Sequence, residues 1–361
     1  MAQADEQREM PHVYLFPIDG LTIDRVWSVD TIDLLPPGSA MTLIEAERQA
    51  RTARGDPAIP DWQRTIVDDR VREKFAACAT ARIEAPDVQM AYTRVSDILG
   101  VLRLFAAWRL PMANTELQSF GLAGELPWWR AEYVDLAVGA AFGWFWKGTA
   151  AAWTFTADDW NAFRDSSGFQ YLLSAVAAES GVATALQRRA LLGQRLLNRA
   201  ILDQQADSKL VAVVVALEVL FGESGWHGKG YGIARRTAYL TCSIRTNTMC
   251  GRDRPSCLYL ALDPSNGAPQ ELVNLVKNAN AATGTWCDRY LETKYLYERR
   301  NCAMHDGISG LSLEQVRTLA WPIYSWLLPA FLDWCAAHPN DDLAALDSEI
   351  SEAVATRPPA H

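Results

Sequence analysis

The hydrophobic pattern changes its period near Phe169, and this change constrains the fold more than any other feature of the chain. Before it, short apolar runs alternate with turn residues. From Val13 to about Leu43, VYLFPIDGLTI and VWSVDTIDLL, with an Asp-Gly turn signal and closed by Pro36-Pro37-Gly38, predict the strands and turns of a small sheet. ATARIEA, Ala79 to Ala85, reads as another strand. Thr42 to Arg54 is rich in Ala, Glu and Arg and is expected to be helical, Gly55 to Gln63 is expected to be a loop, and a helix from Met90 to Trp108 recurs on Ile98, Val101, Leu102 and Phe105. From Phe169 onward the apolar residues recur at helical spacing. Helices are predicted over Phe169–Ala178, Ala183–Gln205, Ser208–Phe221, Gly232–Arg245, Gln270–Ala281, Trp286–His305 and Ser312–Ala337, with loops at Gly222–Gly230 and Thr246–Pro269. The expected class is therefore α+β: residues 1–168 as a mixed α/β domain with a small sheet, 169–338 as an all-helical bundle, and 339–361 as a frayed acidic tail.

With 361 residues, 49% of them hydrophobic and 21% charged, the chain has material for two cores. Its longest apolar runs, Leu210 to Phe221 and Ala137 to Trp146, fall short of the roughly 20 residues that cross a bilayer and are expected to be core. The opening MAQADEQREMPH lacks the basic start and apolar stretch of a secretory signal, so a cytoplasmic protein is expected. In that compartment the seven cysteines are expected to be free thiols. Cys242, Cys250 and Cys257 are spaced too widely for the paired-thiolate knuckle of a zinc site, and no metal or other cofactor is expected.

The formal charge of −9 argues against a polyanionic partner, but the charge is uneven. Between Leu186 and Arg300 there are 16 Lys and Arg against 10 Asp and Glu, a balance of +6 that leaves −15 for the remainder. A locally basic helical segment suits a phosphate-binding domain joined to an acidic one, and equally suits solvated helix surface. Trp128, Trp129, Trp144, Trp146, Trp153 and Trp160 crowd the stretch before the helices. Such density serves core packing more often than a stacking platform or ligand cage.

The text with most chemical content is ETKYLYERRNCAMHDG, Glu292 to Gly307. On a helix Asn301 and His305 share a face, and the long Arg300 side chain, one position away from Asn301, reaches towards the same space. Gly307 is the expected helix stop, which puts His305 in or just past the last turn. An Arg beside a His suits RNA cleavage without metal: the guanidinium holds the scissile phosphate in a fork, and the imidazole moves the proton. Glu218, on the otherwise apolar face of ALEVLFG, needs a cationic partner, with Arg235, Arg236 and Arg300 as candidates. Its expected role is to orient Arg300. Cys302 and His305 share a helix and lack an oxyanion site, which disfavours a thiol nucleophile. His227, in a glycine-rich loop of no phosphate-binding spacing, is expected to lie at a mobile edge.

In Arg300-Asn301-Cys302-Ala303-Met304-His305 the chain resembles the HEPN superfamily, whose signature is Arg, four to six residues, then His, with a polar residue after the Arg. The order of segments is similar to the ApeA-like branch: a helix reading Asp207-Ser208-Lys209-Leu210 through Leu220-Phe221-Gly222, a helix with the basic pair Arg235-Arg236, then the Arg-to-His helix with its glycine stop. The chain departs from that branch in its Asn-Cys-Ala-Met run and in Asp306 before Gly307. The resemblance spans about Leu186 to Cys335. It implies a helical bundle that dimerises with two Arg-His motifs facing each other, and endoribonuclease activity in defence or toxin systems. Arg300 and His305 would then be catalytic, with Asn301 and Glu218 in support, and Arg235, Arg236, Lys294 and Arg299 would contact RNA, tRNA among the candidate targets. A non-catalytic module that dimerises or binds RNA, with a ligand-sensing N-terminal domain, is the alternative.

Overall fold

A computed structural model of the chain describes residues 12–55, 69–109, 120–122, 132–143, 153–178, 183–222, 229–243, 267–283 and 288–355. The protein is mixed α+β, with an antiparallel sheet near the N-terminus and a helical C-terminal region. It divides into two compact units: residues 1–99 with 117–162, and residues 100–116 with 163–361. Helix α3 (Val88–Arg109) gives its first half to one unit and its second half to the other.

In the first unit the apparent long strand breaks at Gly20, whose φ of +76° suits a residue without Cβ. β1 (His12–Asp19) therefore enters the main sheet, while β2 (Leu21–Ile23) pairs in parallel with β9 (Trp153–Phe155). β3 (Trp27–Val29) and β4 (Ile32–Leu35) form a hairpin, and β5 (Ala79–Ala85) pairs antiparallel with both β4 and β1. On the other side of β1 stand β6 (Gly121–Leu122) and β7 (Tyr133–Asp135), and β8 (Ala140–Phe142) pairs with β7. The main order is β3-β4-β5-β1-β7-β8, with β6 also on β1. Strand alternation turns Leu15, Val134 and Ala141 to one face, where α1 (Ser39–Arg54) and α2 (Asp69–Ala77) cover them with Ala40, Ile44, Val71 and Phe75. Trp153 and Trp160, two of the clustered tryptophans, pack with Phe155 and Trp27; Trp128, Trp129, Trp144 and Trp146 lie outside the described residues.

The second unit is helical: α5 (Ser167–Ala178), α6 (Ala185–Leu202), α7 (Ala206–Phe221), α8 (Lys229–Ala238), α9 (Gln270–Thr283), α10 (Asp288–Asp306), α11 (Leu313–Pro322), α12 (Leu328–Ala337) and α13 (Leu343–Ala355). A short helix, α4 (Ala157–Asp165), precedes them and was not expected. The start of α6 is fixed by a capping box in which Thr184 and Gln187 each accept from the other's backbone N–H. Gly193 on α6 lets α7 approach closely, since a Cβ there would stand 2.4 Å from Leu220. Lys209, 4% exposed, spends its ammonium on the carbonyls of Ala200 and Ile201 at the end of α6.

Three expectations need correction. The long helix over Ser312–Ala337 is interrupted by a π-helical turn at Ile323–Leu327, directly after Pro322, which has no N–H to continue the ladder. The Gly222–Gly230 loop ends earlier, because Lys229 and Gly230 already belong to α8; residues 223–228, with His227, lie outside the described residues. The segment after Pro339 is not a frayed tail. Leu343, Leu346 and Ile350 recur at helical spacing and are buried, so α13 packs as part of the unit. Among the described residues no helix is long and apolar enough to cross a membrane.

Candidate active site

Helix α10 packs against α7 and α8 and carries the Arg-to-His motif on its last two turns. Arg300 Nη2 lies 3.1 Å from Glu218 Oε2 of α7, and each side chain is 19% exposed. Of the three cations proposed for Glu218, the structure therefore pairs it with Arg300. The neighbouring Nη1 donates to Asn301 Oδ1 at 3.0 Å. The guanidinium carbon sits 5.7 Å above the centre of the Tyr297 ring, at the edge of the range for a cation–π contact. The pKa of the Tyr297 phenol is raised, first by burial and then by the nearby Glu218 carboxylate. The Tyr297 ring is backed by Gly230 of α8, where a Cβ would stand 3.2 Å from the ring. Arg300 Nε is buried and finds no hydrogen-bond partner among the described residues.

His305 stands in the last turn of α10, exposed, with Gly307 following at a φ of +78°. It lies five positions beyond Arg300, about 7.5 Å along the axis and about 140° around it, so the two do not share a helix face. Asn301 and His305 do, being offset by about 40°. By drawing Arg300 Nη1 to its own Oδ1, Asn301 brings one edge of the guanidinium towards the face that holds His305. His305 has no ion pair or hydrogen bond among the described residues. The turn beyond it is anchored by Asp207 Oδ1 of α7, which accepts from Ser309 N at 2.9 Å. Met304, next to His305 in sequence, and Ile308, three residues on, are 57% and 64% exposed.

The predicted RNA contacts scatter. Lys294 is exposed, with its ammonium 6.0 Å from the Tyr290 ring centre. Arg299 is paired with Glu271 and lies over Tyr295. Arg235 is half-buried. Arg236 must be withdrawn as an RNA contact: it is 2% exposed, donates from Nε to Asp347 Oδ1 at 2.8 Å and from Nη2 to the other oxygen, and also holds the Phe221 carbonyl. Its charge is spent inside the fold on α13. Tyr297 and Asp207 were missed in the sequence. Tyr297 was within reach, since it precedes Arg300 by three residues and so shares its side of the helix.

Among the described residues no cluster of three His, Cys, Asp or Glu is placed to hold a metal ion. Cys302, beside the motif, is a free thiol of intermediate exposure. Comparison with protein-family models, with curated proteins and with solved structures gives no match to this chain.

Proposed function

We propose that the chain is a metal-independent endoribonuclease of the HEPN type, acting from the cytoplasm in defence or as a toxin, with a site completed by a second copy. The observation that carries the reading is Arg300 held by Glu218 and Asn301 on the helix whose last turn presents an exposed His305 with no partner among the described residues. The guanidinium would bind the non-bridging oxygens of one phosphodiester and stabilise charge building there. His305 would move the proton. The 2′-oxygen attacks phosphorus, the O2′–P bond forms, the P–O5′ bond breaks, the 2′-hydroxyl proton leaves and the 5′-oxygen is protonated. The products are a 2′,3′-cyclic phosphate and a 5′-hydroxyl. The exposed apolar side chains of Met304 and Ile308 suit burial against a partner copy rather than water.

One observation favours a second reading, a non-catalytic HEPN scaffold: Arg300 is already neutralised by Glu218 in a half-buried pair. The two readings separate on incubation of the full chain with total tRNA and with a labelled single-stranded RNA in EDTA. Fragmentation by wild type that disappears in Arg300→Ala and in His305→Ala supports the nuclease. Intact RNA with the wild-type protein at dimer-forming concentration favours the scaffold.

A further inference from the structure

The N-terminal unit holds a second cluster of titratable side chains, on the sheet face opposite α1 and α2. Alternation along β1 turns His12, Tyr14 and Phe16 to this face, and the register sets Tyr14 beside Asp135 of β7 and Tyr133 beside Phe142 of β8. His12 Nδ1 lies 2.8 Å from Asp135 Oδ2. The Asp135 side chain is 7% exposed, and its other oxygen accepts the backbone N–H groups of Ala137 at 2.9 Å and Val138 at 3.3 Å. A carboxylate fixed in this way keeps the proton of a neutral imidazole on Nδ1 and turns the Nε2 lone pair outward.

Capping the β7–β8 turn requires only the Asp135 oxygens. It leaves unexplained why a one-third exposed imidazole is oriented there with Nε2 unpartnered among the described residues. The hydroxyls of Tyr14 and Tyr133 likewise form no hydrogen bond among the described residues. Burial, then Asp135, pushes the Tyr14 phenol up to about 12 and raises that of Tyr133, so both remain proton donors. The rings are continuous: His12 stacks on Tyr14 at 5.9 Å, Tyr14 meets Tyr133 edge-on at 5.9 Å, and Tyr133 stacks on Phe142 at 5.0 Å. His12, Tyr133 and Phe142 are only half-buried, which leaves ring surface open.

Together these groups offer one acceptor, phenolic donors and an aromatic wall, beside the negative charge of Asp135 and Asp87. A flat nucleobase, with an N–H donor next to an acceptor, complements that pattern, and the two carboxylates disfavour an attached phosphate. We infer that His12, Tyr14, Tyr133 and Asp135 form a small-molecule site for an uncharged nucleoside.

The test is isothermal titration of the full chain with guanosine, inosine, uridine, adenosine and guanosine monophosphate. Saturable binding of at least one of the four nucleosides is expected, with guanosine monophosphate at least tenfold weaker than the nucleosides that bind. The same loss is expected in Tyr133→Phe and in His12→Phe, which keeps a ring and removes the acceptor. Arg300→Ala should bind as wild type, which separates this site from the proposed nuclease centre. No saturation by any nucleoside at millimolar concentration, equal binding of guanosine and its monophosphate, or unchanged binding in His12→Phe and Tyr133→Phe overturns the inference.

Discussion

Arg300 and Glu218 meet across α10 and α7 with Nη2 3.1 Å from Oε2, and the same carboxylate helps to raise the pKa of the Tyr297 phenol. A half-buried carboxylate paired with a guanidinium has a definite position, and so does the cation that it holds. Glu218→Ala would leave Arg300 uncompensated at 19% exposure, and a loss of about 1–3 kcal/mol in urea denaturation is expected. Glu218→Gln, which still accepts a hydrogen bond, should lose less stability and yet lower RNA cleavage with the fold intact. Equal stability of Glu218→Ala and wild type would show that the pair holds nothing in place.

Arg236 and Asp347 form the more deeply buried pair, 2% and 12% exposed at their side chains. Arg236→Ala is expected to cost about 3–5 kcal/mol, because Asp347 is left charged and desolvated. Arg236→Met combined with Asp347→Leu should recover most of it. Thermal unfolding of the three proteins is the check, and an Arg236→Ala protein as stable as wild type would contradict the pairing.

These two pairs also mark how far the sequence could be read. The helical period, the strands β1 and β5, the glycine stop after His305 and the need of Glu218 for a cation all follow from neighbours within a few residues, so they were legible. Arg236 was not. It looks like half of an exposed basic pair until Asp347, 111 residues later, is brought against it. The acidic composition of Asp341 to Glu352 likewise masked the spacing of Leu343, Leu346 and Ile350, which alone announces α13. Pro322 marked the interruption that follows it, but residue type does not say that a helix will pass through a π turn and resume.

Lys209 makes stability depend on alkaline pH in an unusual direction. Burial, followed by the Arg317 charge, lowers its pKa from 10.5 to about 8 in the folded chain. Below pH 8 the lysine is charged in both states and the folded state carries the full desolvation cost. Between pH 8 and 10.5 the folded lysine releases its proton while the unfolded one keeps it, so this group's contribution to stability rises with pH. Relative to Lys209→Met, wild type should gain about 1–3 kcal/mol over that window, read by urea denaturation at several pH values. A difference independent of pH would contradict the buried ammonium.

Gly193 permits the close approach of α6 to α7, the helix that carries Glu218. Gly193→Ala forces a Cβ within 2.4 Å of Leu220, and overpacking of this kind costs about 1–3 kcal/mol despite the better helix propensity of alanine. A stabilised Gly193→Ala protein, measured by its Tm, would show that the helices are not so tightly apposed.

In the proposed mechanism Arg300 and His305 cut RNA by attack of the adjacent 2′-hydroxyl. The most direct measurement is mass spectrometry of the 3′ ends that the full chain leaves on a defined single-stranded RNA in EDTA, alongside Arg300→Ala and His305→Ala. Fragments ending in 2′,3′-cyclic phosphate from wild type, and none from either variant, are predicted. Fragments with 3′-hydroxyl ends, or the same cyclic products from the variants, would contradict the claim.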